Sequence, residues 1–153
     1  MDLILWRHAE AVEALAGEND LQRRLSTRGE KQAARMAAWL DRQLPDLAKV
    51  WCSPARRTEQ TAMALGRKFK RSDAIGPEAS VEQLIELVQW PHAKGCVLVV
   101  GHQPTLGQTL ARLLNLHSAE CQVKKGALWW LRYRARETGD STVVVTVQSP
   151  EFL

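Results

Sequence analysis

The chain has 153 residues, a length that fits one domain around one hydrophobic core, so we expect a single domain over residues 1–153. Its 45% hydrophobic and 25% charged residues are ordinary for a folded globular protein and exclude a disordered chain. No apolar run approaches the roughly 20 residues that cross a bilayer. Charge returns at Arg7 after four apolar residues, so we expect no signal peptide. We therefore expect a cytoplasmic protein with no membrane association.

The net charge of +4 favours an anionic partner, which can be a nucleic acid, an acidic protein or a small anion. Basic residues are spread along the chain, and only one Tyr and two Phe are present, so we expect no nucleic-acid binding. The three cysteines are widely spaced, and the four histidines form no His-x-x-x-His pair. This pattern predicts neither a metal site nor a disulfide framework, and no cofactor is expected.

Short apolar runs alternate with helical patterns through the first half of the chain. Thr27 and Glu30 have the spacing of a capping box, which predicts the start of a helix, and Pro45 predicts its end. The predicted elements of this half are a strand over residues 3–6, a helix over 27–44, a strand over 50–52 and a helix over 58–69.

The second half continues the alternation and ends in two alternating runs. Ser80 and Gln83 form another capping box. Alternating strands and helices predict a three-layer α/β/α fold with a mostly parallel sheet, and the last two runs predict an antiparallel hairpin at its edge. The predicted elements are a short strand within 73–77, a helix from 81, a strand over 96–100, a helix over 104–114, and hairpin strands over 127–133 and 142–148.

Arg7 and His8 follow the first predicted strand, and His102 follows the strand over 96–100. Because ligands of open α/β sheets bind outside the carboxyl ends of the strands, these side chains share one crevice if the two strands are parallel neighbours. An arginine fork binds phosphoryl oxygens, and a neutral imidazole nitrogen attacks phosphorus. This pattern predicts an enzyme of phosphoryl transfer.

Two further positions extend the predicted anion site. Ser53 and Pro54 lead from a strand into a helix whose first backbone amides favour an anion, and Arg57 lies one turn into that helix. Arg56 is expected to be solvated. Glu78 precedes a capped helix and is a candidate general acid, because nearby anions raise the pKa of a carboxyl group. The alternative for Glu78 is an ordinary solvated surface carboxylate.

The combination of Arg-His after the first strand, Ser-Pro-x-x-Arg after the second and a strand-terminal His resembles the histidine phosphatase, or phosphoglycerate mutase-like, superfamily. The local sequences over 5–11, 20–29, 53–61 and 99–104 are similar to its SixA-type phosphohistidine phosphatase branch. The resemblance covers residues 3–114 and implies a phosphoglycerate mutase-like fold. The chain departs from the common pattern at Ala9, where most members have Gly, and at Arg24, where the branch often has Pro.

The resemblance also implies a reaction and a set of site residues. The reaction is a double displacement through a phosphohistidine on the enzyme, and it requires no metal or cofactor. The implied site consists of His8 as the nucleophile, Arg7 and Arg57 as clamps on the phosphoryl oxygens, His102 as the residue that completes the pocket, Glu78 as the proton donor and Gln103 as a further phosphate-binding residue.

The stretch between Phe69 and Cys96 is too short for the lid that encloses small metabolites in larger members of the superfamily. An open mouth suits a phosphorylated side chain on another protein. Three functions stay open. They are a phosphohistidine phosphatase acting on a His-containing phosphotransfer protein in signalling, a small-molecule phosphomonoesterase acting on a sugar phosphate or nucleotide, and a non-catalytic phosphate-binding module.

Overall fold

The sheet and its covering helices comprise about half of the chain, and the structure, a computed structural model, describes all of residues 1–153. Short 3₁₀ turns lie at Asp20–Gln22, Asp73–Ile75 and Pro150–Phe152. The strands are β1 (Asp2–Arg7), β2 (Lys49–Cys52), β3 (Lys70–Arg71), β4 (Cys96–Gly101), β5 (Leu128–Arg134) and β6 (Ser141–Gln148), and the helices are α1 (Thr27–Gln43), α2 (Arg56–Met63), α3 (Val81–Val88) and α4 (Thr105–Leu113).

The six strands form one sheet in the order β3-β2-β4-β1-β5-β6. The first four strands in this order run parallel to one another, whereas β5 is antiparallel to β1, and β6 is antiparallel to β5. In the central pair, Arg7 of β1 lies opposite Gly101 of β4. The residues that directly follow these strands, His8 and His102, therefore emerge side by side at one edge of the sheet.

Two separate apolar clusters lie on the two faces of the sheet. Met36 and Leu40 of α1 pack with Ala62 of α2 on one face, and Leu84 of α3 packs with Leu106 of α4 on the other. Strands β1 and β4 contribute to both clusters because helices cover both of their faces, which explains their uninterrupted apolar sequences. The predicted three-layer α/β/α fold and its C-terminal hairpin are confirmed.

The cap of helix α1 lies one residue earlier than predicted. The cap residue is Ser26, whose hydroxyl accepts a hydrogen bond from the Gly29 N–H at 3.0 Å, so the predicted capping box of Thr27 and Glu30 is wrong. Gly29 takes the place three residues after the cap because a Cβ there would lie 1.9 Å from the Glu10 carbonyl oxygen. The capping box of Ser80 and Gln83 at the start of α3 is confirmed.

The predicted boundaries also differ from the structure between residues 63 and 77. Helix α2 ends at Met63 instead of residue 69, because the chain turns at Gly66 with a φ of +73°, a conformation that favours glycine. The predicted strand within 73–77 is a 3₁₀ turn capped by the Ser72 hydroxyl, and the strand lies earlier, at β3. None of the helices is long and apolar enough to cross a lipid bilayer.

Candidate active site

His8 and His102 form the centre of the candidate site. Their ring centroids are 5.3 Å apart and their planes are inclined by 57°. Both side chains are buried, with exposed fractions of 6% and 3%. The His8 N–H donates to the Gly101 carbonyl oxygen at 3.1 Å, which continues the pairing of β1 with β4 beyond the strand and holds the two residues at the same level.

The hydrogen bonds of His8 define its tautomer. Its Nδ1 lies 2.7 Å from the Ala9 carbonyl oxygen, which can only accept a hydrogen bond, so Nδ1 carries the proton. The Ala9 N–H donates to the hydroxyl of Thr61, a residue of α2, at 3.1 Å. This bond fixes the backbone at Ala9 against that helix. The unprotonated Nε2 of the neutral ring therefore carries the lone pair.

Both imidazoles are neutral at physiological pH. Burial is the main cause that lowers the pKa of His8 to about 3, and the charges of Arg57 and Arg7 lower it further. Burial likewise lowers the pKa of His102 to about 3, with contributions from His8 and Arg57, while the Asp20 carboxylate opposes this shift. A neutral His8 retains the lone pair that nucleophilic attack requires.

Two guanidinium groups flank the histidines. Arg57, in the first turn of α2 and 4% exposed, donates through Nη1 to the Asp20 carbonyl oxygen at 2.9 Å and through Nη2 to Asp20 Oδ2 at 3.1 Å. Arg7 donates through Nη1 to the Val123 carbonyl oxygen at 2.8 Å. The Nε of each arginine is buried without a hydrogen-bond partner in the protein. Arg57 is thus anchored through both terminal nitrogens and Arg7 through one, and each guanidinium keeps donors for an anion.

Asp20 is a site residue that sequence reasoning missed. Partial burial acts to raise the pKa of its carboxyl group, but the hydrogen bonds and charges of Arg23 and Arg57 outweigh burial and hold the pKa below its usual value. The ionised carboxylate fixes the direction of the Arg57 side chain. A turn was evident in the sequence from Gly17 to Asp20, but no local pattern links this turn to Arg57, 37 residues away.

The remaining two predicted residues lie at the margins of the site. Glu78 is exposed and lines an open cleft of about 450 Å³ together with Asp20 and Pro54, without a hydrogen bond to the histidines or arginines. The Gln103 side chain accepts from the Gly107 N–H at 2.7 Å and donates to the Cys121 carbonyl oxygen at 3.0 Å. These bonds connect α4 to the segment before β5, so the amide oxygen of Gln103 is already used within the protein.

Comparisons with known proteins identify the family of this fold. Residues 3–87 match the model of the histidine phosphatase superfamily (branch 1). The chain is 30% identical to the phosphohistidine phosphatase SixA of Escherichia coli (strain K12) over 127 residues, or 74% of each chain. It is 29% identical to the phosphohistidine phosphatase SixA homolog of Haemophilus influenzae over 128 residues, which cover 74% of this chain and 77% of that protein.

The fold is also similar to that of a solved SixA protein. The structure of the protein histidine phosphatase SixA complexed with tungstate matches 99% of both chains with a TM-score of 0.82 and 24% sequence identity. The fold and the family match together define a phosphatase, as predicted. The chain belongs to the histidine phosphatase superfamily, branch 1, and is similar to its SixA proteins.

Proposed function

We propose that this protein is a phosphohistidine phosphatase that removes phosphate from a histidine of a phosphotransfer protein in a signalling system. The observation that carries the proposal is the buried, neutral His8, whose Nε2 is free while its ring lies 5.3 Å from that of His102 between two anchored arginines. This arrangement suits a tetrahedral phosphoryl group that an imidazole attacks. The similarity to SixA proteins supports the same substrate class.

In the first step, His8 Nε2 attacks phosphorus as the phosphorus–nitrogen bond of the substrate breaks. The electron pair of that bond stays on the leaving imidazole, which takes up a proton. The His8 ring becomes positively charged as its new bond forms, and the Nδ1–H bond to the Ala9 carbonyl oxygen stabilises this charge. A preformed hydrogen bond contributes here because its dipole requires no reorientation during the reaction.

In the second step, a water molecule attacks phosphorus and the bond to His8 Nε2 breaks, which releases inorganic phosphate and restores the neutral ring. Arg7 and Arg57 hold the phosphoryl oxygens in both steps, and His102 donates a third hydrogen bond. The contribution of the protein is mostly positioning and electrostatic stabilisation, as in other phosphoryl transfers. Gln103, whose amide still has one free N–H, is at most an auxiliary phosphate ligand.

Two features of the surface support a protein substrate. The chain between α2 and α3 carries only β3 and one 3₁₀ turn, so no lid covers the histidines. A second cleft, of about 470 Å³, opens beside Arg7, and its margin carries four basic residues against three acidic ones, of which Lys124 and Glu151 form an ion pair. We refer to this margin as the basic rim, which consists of Arg28, Lys124 and Lys125.

A direct comparison of substrates tests the proposal. The protein is assayed with a histidine-phosphorylated phosphotransfer protein and with a panel of sugar phosphates and nucleotides. We expect the highest kcat/KM for the phosphoprotein, and phosphate trapped on His8 as an acid-labile, base-stable adduct during turnover. Faster hydrolysis of the small esters would contradict the proposed substrate, and the absence of an adduct with a slow substrate would contradict the covalent route.

The second candidate function is a small-molecule phosphomonoesterase, and the position of Glu78 in the same cleft as Asp20, which binds Arg57, favours it. An alkoxide leaving group needs a proton more than an imidazole does, so a general acid matters more for esters. Glu78→Gln is expected to slow alkyl phosphates more than phosphohistidine, whereas Glu86→Gln, at an exposed position of α3, leaves both unchanged. Equal losses on both substrates would remove the general-acid role of Glu78.

A further inference from the structure

We propose that Ser53 is a positioning residue that holds His102 in one tautomer, so that Nδ1 of His102 presents an N–H to the phosphoryl group. The inference rests on the proposed function, because it assigns a phosphoryl donor. Ser53 itself acts through the imidazole and is not a ligand of the phosphate. Sequence reasoning used Ser53 only as the start of the turn into α2.

The hydroxyl and the imidazole are in direct contact inside the protein. Ser53 Oγ lies 2.7 Å from His102 Nε2, and the two residues are 0% and 3% exposed. The same hydroxyl oxygen accepts a hydrogen bond from the Ala55 N–H at 3.3 Å. No other hydrogen-bond partner of this hydroxyl exists in the protein, and His102 Nδ1 has none at all.

These contacts distinguish the two neutral tautomers of His102. If the Ser53 hydroxyl donates to Nε2, its proton is used, its oxygen accepts from Ala55, and only the Nδ1–H of His102 has no partner within the protein. If Nε2 donates instead, the hydroxyl proton is buried without an acceptor and Nδ1 is a buried lone pair without a donor. A buried polar group without a partner is costly, so the first tautomer is favoured.

The favoured tautomer also completes a set of donors. Nδ1 of His102 and the Nε atoms of Arg7 and Arg57 are the buried side-chain polar atoms that have no hydrogen-bond partner in the protein. With a proton on His102 Nδ1, all three are N–H donors, as an anion requires. In the other tautomer, a lone pair on Nδ1 would repel a phosphoryl oxygen. The low pKa of His102 keeps the ring neutral, so the position of its one proton matters.

The surroundings of Ser53 leave its hydroxyl little freedom. Its N–H donates to the Val100 carbonyl oxygen of β4 at 3.1 Å, which extends the pairing of β2 and β4 up to the position two residues before His102. Its carbonyl oxygen accepts from the Thr58 hydroxyl of α2 at 2.9 Å. The sheet and the helix thus place this side chain against the imidazole before any substrate binds.

The test combines nuclear magnetic resonance with kinetics on the full-length protein labelled with ¹⁵N-histidine. In the wild type we expect His102 to show a protonated Nδ1 and an unprotonated Nε2. Ser53→Ala should shift this ring towards the Nε2–H tautomer, weaken vanadate binding at least tenfold and lower kcat/KM for the phosphoprotein at least tenfold. Ser53→Thr, which keeps the hydroxyl, should restore most of both the tautomer and the activity.

Ser80→Ala is the matched control, because it removes a serine hydroxyl that also accepts a backbone N–H near the start of a helix but does not contact a histidine. It is expected to leave the His102 tautomer and vanadate binding unchanged. If Ser53→Ala does not fold, Ser53→Cys gives the same comparison, since a thiol is a weak donor.

An Nε2–H tautomer of His102 in the wild type would overturn the inference, as would an unchanged tautomer in a folded Ser53→Ala protein that has lost activity. The tautomer and vanadate measurements need no phosphohistidine. A wild-type protein with the expected tautomer that does not hydrolyse phosphohistidine would therefore contradict the proposed function alone.

Discussion

Arg56 and Arg57 are adjacent in α2 but have opposite surroundings. Arg57 is 4% exposed and bound to Asp20, whereas Arg56 is exposed to solvent. The difference follows from the helical geometry, because consecutive residues project about 100° apart and only one of them faces the ends of β1 and β4. Identical side chains therefore have different expected roles.

Arg57→Gln should lower kcat/KM for phosphohistidine by roughly two to three orders of magnitude, because losing one preorganised donor costs about 2.7–4 kcal/mol in the transition state. Arg56→Gln is the matched control and should change kcat/KM less than about twofold, as expected for a surface position. Steady-state kinetics of both variants checks this prediction. Similar losses in the two variants would mean that the arginine clamp is wrongly assigned.

At the scale of the element, the beginning of α1 joins the helix to the loop that follows His8. The Ser26 hydroxyl caps the helix and also donates to Glu10 Oε2 at 2.7 Å. Gly29 allows this helix end to approach the Glu10 backbone closely. The start of α1 therefore helps to hold the segment around Glu10, which follows β1, in place.

Ser26→Ala should reduce the free energy of unfolding by about 1 kcal/mol, the usual cost of losing a capping side chain. Thr27→Ala, one position further, removes no capping bond and should cost less than about 0.5 kcal/mol. Urea denaturation of both variants measures the difference. A larger loss for Thr27→Ala would support the capping box predicted from the sequence instead.

At the scale of the whole molecule, the two buried histidines link stability to pH. Folding lowers the pKa of His8 and His102 from an ordinary value near 6.5 to about 3. Between these values the unfolded chain binds protons that the folded protein does not. The free energy of unfolding therefore falls as the pH falls below 6.5, and this effect is complete below about pH 3.

We expect each of the two histidines to contribute a loss of roughly 1 kcal/mol per pH unit within this range. The double variant His8→Gln/His102→Gln should show a shallower decline between pH 7 and pH 4.5 than the wild type. Denaturant titrations at several pH values test this. The same slope in both proteins would show that neither histidine is held in its neutral form by the fold.

The charge distribution leads to a prediction about the substrate. The double variant Arg28→Glu/Lys125→Glu reverses two charges of the basic rim. It should lower kcat/KM for a phosphoprotein at least tenfold more than for a small phosphoramidate. Electrostatic steering acts on the extended acidic surface of a protein substrate, which the small compound lacks. Lys68→Glu/Lys70→Glu, near the β3 edge of the sheet, makes the same charge change elsewhere and serves as the control. An equal effect of the two double variants would contradict docking at the basic rim.

The sequence by itself determined the layers of the fold and predicted four residues of the candidate site. Apolar runs and capping residues are local signals, so β1, β4 and the start of α3 were predictable, as was the hairpin. Side chains that directly follow two parallel strands share one edge of the sheet, which was enough to group His8 with His102 and Arg7. Arg57 was found through the Ser-Pro turn that precedes it.

Only the tertiary structure decided which polar groups hold these residues in place. Asp20 meets Arg57 from 37 residues away, and Ser53 meets His102 from 49 residues away. Nothing in either local sequence specifies the partner, because such contacts depend on the strand order and on the packing of α2 against the sheet. Tertiary contacts also placed the cap of α1 at Ser26, since only Gly29 can lie against the Glu10 carbonyl.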